Sequence, residues 1–329
     1  MSTSELSAFD VIDLMTGYQQ AAALHAGATL GIYDVLAAGP ATASEVASRA
    51  GTDPSATLAL LDSLVGMQLL TVSGGAYAST PMSDRLASGG DLRLIAEKES
   101  FLAGVWLSLA DSVRTGTPQL DPWHQRIADD PEQVRTFLQA LVVLARETGP
   151  DLTQLPGFAP GVRIADFGGA LGSYSVPLAA AGASVTLADL PAVIGWAEEE
   201  LASVDTDVRS HITLTPVDLL APDAAKSLGI EYDIVLLSHL LHDLDDDDCA
   251  TVLALARSIA RPGGLVAVFE LPGDPPGSFG PLFDLMMRVE TPGRARRIDE
   301  LMGLLTAAGL TDVRQGGYSL PHAVVLGVA

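Results

Sequence analysis

Acidic residues, a glycine-rich turn and a histidine fall at the ends of successive apolar runs in the second half of the chain. Asp166-Phe-Gly-Gly-Ala-Leu-Gly172 follows the strand-like run Val162–Phe167 and precedes an apolar helical stretch reaching about Ala181. Such a turn, with Gly168 and Gly172 at its two ends, lets backbone approach a ligand at the carboxyl edge of a parallel sheet. It lacks the G-x-G-x-x-G spacing. An acid at its first position opposes a pyrophosphate and suits a cationic amino group. A ligand-free strand–helix turn accounts for the same residues. Asp189 ends the next run, 23 residues after Asp166, where it can accept from both hydroxyls of a ribose. A helix N-cap ahead of Pro191 is a compatible alternative. Asp218 ends the run 211–217, facing an adenine amino group or serving a turn. With no phosphate cradle and no P-loop lysine, these acids describe a nucleoside joined to an amino acid, which is S-adenosylmethionine rather than NAD or ATP.

After the run 232–238 comes Ser238-His-Leu-Leu-His242-Asp243, then acids to Asp248. A histidine at this edge is the natural base for a phenol or hydroxyl near neutral pH; a structural histidine is the alternative. The acid run caps the helix from about residue 247, favourably for its dipole. Glu270 ends the run Leu265–Leu271 and can orient the His242 ring and stabilise its protonated form, or pair with an arginine. His239, His242 and Glu270 could also supply three metal ligands; that spacing fits no standard site, and no metal is assigned. Arg288, Arg294, Arg296 and Arg297 put four of the 18 basic residues in one ten-residue window. They either pair with Asp243–Asp248 or clamp an anionic acceptor.

The elements that must position these groups follow from the pattern. Strand-like runs at 162–167, 184–188, 211–217, 232–238, 264–271, 311–315 and 322–328 alternate with helical stretches, which implies an α/β, mostly parallel sheet covered on both faces. The first part is different. Apolar residues at helical spacing over 10–38 end at Gly39-Pro40. Thr42 and Thr52-Asp53-Pro54 open two further helices, and 69–80 reads as a hairpin turning at Gly74-Gly75. This is a winged-helix pattern. A Pro/Gly-rich connector at 152–161 places the boundary near residue 155, giving domains 1–155 and 156–329.

Composition decides what that first domain is not. The 329 residues carry 18 basic and 41 acidic side chains, a net charge of −23. Residues 1–100 hold four basic and eleven acidic groups, and the helix over 54–70 has no Lys or Arg. Phosphate contacts dominate DNA affinity, so the charge makes the chain a poor candidate for binding nucleic acid or an anionic membrane surface, and a winged-helix DNA-binding regulator stays only as a distant alternative. Apolar runs stop well short of the ~20 residues a bilayer needs. The start of the chain lacks a signal-peptide pattern, and one cysteine, Cys249, allows no internal disulfide. The chain reads as cytoplasmic.

The chain resembles the small-molecule O-methyltransferases of the caffeate/hydroxyindole type. The matching stretches are LGIYDVLAAGPATASEVASRAGTDPSATLALLDSL, ADFGGALG, ADLPAVI, LLHDLDDDDC, RPGGLVAVFEL and DELMGLLTAAGL, in that order. The resemblance implies a Rossmann-like, seven-stranded methyltransferase sheet with a reversed last hairpin, and an all-helical, winged-helix-like N-terminal domain that forms a homodimer and caps the partner's acceptor pocket. It implies S-adenosylmethionine as donor, with its methionine part held by Asp166 and the Gly168–Gly172 loop. Asp189 and Leu190 then lie at the ribose, Asp218 and Leu219 at the adenine, and Ser238 beside them. His242 becomes the general base, with Glu270 flanking it. A small aromatic acceptor, anionic if the arginines reach it, is expected against Trp106, Phe137, Met287, Arg294 and Arg296; Trp123, His124, Phe279 and Phe283 are further wall candidates. The sequence departs from the family at Ala170 and Leu171, where a glycine and a small polar residue are usual. It departs again at Val217, Leu244 and Ala295, the last replacing a second flanking glutamate. These departures keep C- or N-methylation, or a non-methylating reaction on the same fold, as the alternative.

Overall fold

Capping residues and apolar spacing fold residues 6–102 into helices around a small sheet. The computed structural model describes residues 6–317 and 321–329. The helical pattern over 10–38 is realised as three helices, Ala8–Thr16, Tyr18–Thr29 and Ile32–Ala37, the last entered through Gly31 at φ +68°. Thr42 and Glu45 close a capping box on Ala43–Ala50, and Asp53 caps Pro54–Gly66 with proline in its first turn. Strands β1 (Ala41–Thr42), β2 (Leu70–Ser73) and β3 (Ala76–Ser79) pair antiparallel in the order β1-β3-β2. The wing therefore has a third strand, and this unit is helical with a small sheet rather than all-helical. Gly74 and Gly75 both have positive φ, as a two-residue hairpin of this twist requires. Ile32, Tyr33, Leu36, Leu61, Leu64 and Tyr77 fill its core.

The chain divides into two compact units, Met1–Leu102 and Ala103–Ala329, whereas composition changes near residue 155. The difference lies in the helices Leu109–Thr115, Trp123–Asp129 and Pro131–Thr148. Val134 and Leu138 of the last pack with Leu171, Val193 and Ala197, so these helices share apolar contacts with the sheet-containing unit.

Among the described residues the large sheet has seven strands: β4 (Arg163–Phe167), β5 (Ser184–Asp189), β6 (Ile212–Pro216), β7 (Tyr232–Ser238), β8 (Ala260–Glu270), β9 (Thr311–Gln315) and β10 (Ala323–Val328). Their order is β6-β5-β4-β7-β8-β10-β9. Strands β4 to β8 pair in parallel, and β10 runs antiparallel between β8 and β9. Alternate residues serve opposite faces: Ala165, Phe167, Val235 and Leu237 enter one core, while Ile164, Ile234, Leu236 and Phe269 enter the other. Each fully buried Leu or Phe contributes about 2–3 kcal/mol by leaving water, which fixes the register. That register brings the C-terminal ends of β4, β5, β7 and β8 to one edge. No helix among the described residues is long and apolar enough to cross a membrane.

Candidate active site

The first strand of the sheet, β4, has β5 and then β6 on one side and β7 on the other. Its carboxyl end is therefore the topological switch point, where an open α/β sheet leaves a crevice. Asp166 lies there, buried. Ser175 Oγ donates to its Oδ2 at 2.6 Å, while its Oδ1 is buried without a hydrogen-bond partner among the described residues. Burial, opposed by Ser175 and assisted by the Asp189 charge, pushes its pKa up to about 7. A buried acceptor without a donor costs about 1–3 kcal/mol, and a ligand ammonium group would satisfy it.

The glycine loop leaves this acid with Gly168 at φ +65° and Gly172 at φ +90°. Ala170 takes φ +47°, a left-handed conformation despite its β-carbon. Asp189 holds it there: its Oδ2 accepts the Ala170 N–H at 2.9 Å, and its Oδ1 accepts the Leu190 N–H at 2.7 Å. Burial, against these two bonds, pushes Asp189 up to about 6. Each oxygen retains a lone pair for a ribose hydroxyl. Leu190 is the N-cap residue of the Pro191–Leu201 helix. Ser238 ends β7, buried. Asp218 is exposed and accepts from Leu220 N–H at 2.9 Å, so the turn role is realised at that position; Leu219 packs on the core beside it. The orphaned Asp166 oxygen and the two loop carboxylate bonds fit a nucleoside with an amino-acid arm.

His242 sits in a one-turn 3-10 helix, Leu241–Asp243, directly after β7. Its Nδ1 lies 2.6 Å from Glu270 Oε2, and its backbone N–H donates to Glu270 Oε1 at 3.2 Å. Burial pulls the imidazole pKa down, but Glu270, Asp243 and Glu290 outweigh it and hold His242 at about 9. Burial pushes Glu270 the other way, yet His242 keeps it below the usual carboxylate range. The family's second glutamate is Ala295 here, buried beside Phe283 and Met287. Other acids serve the ring instead: Asp243 Oδ1 lies 3.9 Å from His242 Nε2. Asp243 thus belongs to the site, and the following helix is capped by Asp245. Gly293 has no room for a side chain, since a β-carbon would stand 2.2 Å from the His242 carbonyl oxygen.

His239, at φ +53°, lies with its Nδ1 3.9 Å from Glu270 Oε2. Burial, then the charges of His242 and His322, pull it down to about 4 against Glu270. Ligand atoms of His239, His242 and Glu270 fall within 4.8 Å of one another, so the cluster has the reach to chelate a metal. The proton shared by His242 and Glu270 would have to leave first.

On the acceptor side, the Phe283 ring centroid is 5.1 Å from that of His242, with Met287 packed against Phe283. Phe137 is buried and meets Trp123 edge-on at 5.6 Å. Trp123 Nε1 donates to Asp243 Oδ2 at 3.0 Å, tying this aromatic pair to the histidine turn. Trp106 closes the Asp91–Trp106 helix, half-buried, with no ring contact to this cluster among the described residues. The arginine window is occupied by protein partners. Arg294 pairs with Glu300 at 2.8 Å, Arg288 with Asp284, and Arg297 with Asp299. Arg296 is buried and donates to the carbonyls of Leu241 and Leu244 and to Asp246. It braces the turn that carries His242, where the sequence had suggested an acceptor clamp.

Sequence reasoning missed Ser175, Glu290 and Arg126. Ser175 follows the glycine loop by three residues and could have been found as a partner for Asp166. Glu290 lies within the 288–297 window, where only its arginines drew notice, and Arg126 follows Trp123 by three residues with no motif of its own.

Residues 12–89 match the O-methyltransferase dimerisation domain, and residues 106–311 match the O-methyltransferase domain. The chain is 30% identical over 335 residues to the 3-hydroxy-5-methyl-1-naphthoate 3-O-methyltransferase of Streptomyces sahachiroi, covering 96% of this chain and 94% of that protein. It is 29% identical to the acetylserotonin O-methyltransferase of Mus musculus, over 92% of this chain and 84% of that one. Among solved structures, an O-methyltransferase family protein from Burkholderia thailandensis superposes with a TM-score of 0.86 at 22% identity, over 99% of this chain and 98% of that chain.

Proposed function

Because the chain belongs to the O-methyltransferase family, we propose that this enzyme methylates a hydroxyl of a small aromatic acceptor, with His242 taking the hydroxyl proton. The observation that carries this is the 2.6 Å contact between His242 Nδ1 and Glu270 Oε2. It commits Nδ1 to the carboxylate and leaves Nε2 for the acceptor proton. A ring held near pKa 9 is well matched to a phenol near 10. The relatives named above act on a naphthoate hydroxyl and on acetylserotonin, which supports an aromatic hydroxyl here.

S-adenosylmethionine, when bound, supplies an electrophilic methyl group. Asp166 Oδ1 would take its ammonium, the Gly168–Gly172 loop its amino-acid arm and Asp189 its ribose hydroxyls, with Leu219 and Ser238 near the base. Phe283, Met287, Phe137 and Trp123 exclude water around the acceptor ring, so that His242 and the hydroxyl meet in fixed orientation. Glu270 then stabilises the imidazolium that forms.

Homodimer formation through the first unit fits the match to the dimerisation domain. It also fits the Ala8–Thr16 helix, which buries none of its residues and exposes Phe9, Ile12, Leu14 and Met15. A cytoplasmic location fits the free, buried Cys249. The direct test is incubation with methyl-labelled donor and a panel of hydroxyarenes, alongside His242→Ala. We expect label on oxygen, a loss of about 10²–10⁴ in turnover for the variant, and unchanged donor affinity. Full turnover by His242→Ala would remove it as the base.

A further inference from the structure

Arg126, on the Trp123–Asp129 helix, is 8% exposed. Its guanidinium carbon lies 4.1 Å from the centre of the Trp123 ring and 5.3 Å from that of Phe137. Its Nη2 is buried with no hydrogen-bond partner among the described residues. Burial draws its pKa down, and the charges of Glu290 and Asp243 draw it up. Those same two acids act on His242. Trp123, stacked on Arg126, donates to Asp243, and Asp243 approaches the His242 nitrogen that is not committed to Glu270.

A guanidinium kept only to balance Glu290 and Asp243 would have no reason to leave a buried N–H unmatched, because such a donor is costly to leave unmade. The arginines at 288–297 show the contrast, since each is bonded to an acid of this chain. Arg126 also belongs to the aromatic wall beside His242, where an acceptor ring is expected.

We infer that Arg126 selects the acceptor: its Nη2 N–H donates to a second oxygen, carbonyl or carboxylate, on the same aromatic molecule whose hydroxyl faces His242. This rests on reading the His242 site as the acceptor site. Planar donors of this kind recognise such oxygens with fixed geometry, so Arg126 would set which hydroxyl of the ring reaches the base.

The experiment measures binding to the full chain by calorimetry in the presence of S-adenosylhomocysteine. The probes are 3-hydroxy-2-naphthoate, its methyl ester and 2-naphthol. Wild type is expected to bind at least one oxygen-bearing probe about tenfold more tightly than 2-naphthol, the size of one charge-assisted hydrogen bond. Arg126→Lys and Arg126→Met should lose that preference while keeping donor affinity and 2-naphthol binding. Tighter binding of the acid than the ester identifies a carboxylate partner, and equal binding identifies a carbonyl. A wild type without preference overturns the inference, as does a preference that survives in the variants or a uniform loss across all three probes. If neither variant folds, Arg126→Gln is measured in their place and read by the same outcomes. Methyl transfer to the same probes is scored separately: an Arg126-dependent preference without transfer refutes the methylation reading and leaves the recognition role standing.

Discussion

Glu270 holds His242 at two points: its Oε2 lies 2.6 Å from the ring Nδ1, and its Oε1 accepts the His242 backbone N–H at 3.2 Å, across 28 residues of chain. One carboxylate at the end of β8 therefore fixes both the orientation of the ring and the position of the turn after β7. The pair behaves as one titrating unit, and its consequences can be measured.

The rate should rise with pH through the apparent pKa of this pair, near 9, because the base form of His242 grows as its proton leaves. In Glu270→Gln the limb should move down toward or below the ordinary histidine value of about 6.5, since burial then acts with less opposition. The stability contribution has the matching sign. His242 is raised above its unfolded value, so its contribution is full below about 6.5 and is lost as pH rises through about 9. An unmoved limb in the pH–rate profile of Glu270→Gln would show that this carboxylate does not tune the base.

Donor binding should release protons near pH 6–7. Asp166 is pushed up to about 7 and Asp189 to about 6, so the ligand-free protein carries part of these protons there. An ammonium group placed on Asp166 favours its ionised form, releasing up to about one proton. Calorimetry in two buffers of different ionisation heat measures this, and Asp166→Asn should abolish most of it. Proton uptake instead of release would place the ammonium elsewhere.

Ala170→Gly should stabilise the protein by about 0.5–1 kcal/mol. The left-handed conformation at φ +47° costs an alanine about 1–2 kcal/mol, and the greater freedom of glycine in the unfolded chain offsets part of that gain. Denaturant unfolding reads the difference. A destabilised variant would mean that the Ala170 methyl contributes packing beside Leu171 and Leu190 that outweighs the strain.

Arg296→Ala should destabilise by about 2–4 kcal/mol, because the carbonyls of Leu241 and Leu244 and the Asp246 carboxylate each lose a charged donor. Turnover should fall as the His242 turn loosens, while donor affinity holds. Arg296→Lys should recover only part of the loss, since an ammonium cannot span the same three oxygens. A variant of normal stability with weakened acceptor binding alone would restore the clamp reading of this arginine.

Local patterns in the chain were enough to specify the sheet, the turn at Asp166–Gly172 and the placement of Asp189, His242 and Glu270 at or just after strand ends. Strand periodicity, short crossovers and capping residues are local signals, and parallel pairing carries the carboxyl ends of β4 to β8 to the same edge without further information. The ordered motifs pointed to the family for the same reason. How the charges pair is set by the packing of distant segments. Arg294 and Arg296 share a window with residues that could face a ligand, yet their guanidiniums find Glu300, Asp246 and two carbonyls. Arg126 and Glu290 are 164 positions apart, yet the fold brings them close enough for the Glu290 charge to act on Arg126. Which buried charge is matched and which is left with an open donor depends on distances of a few ångströms between segments remote in the chain. No local pattern encodes those distances, because they are set by the packing of whole elements.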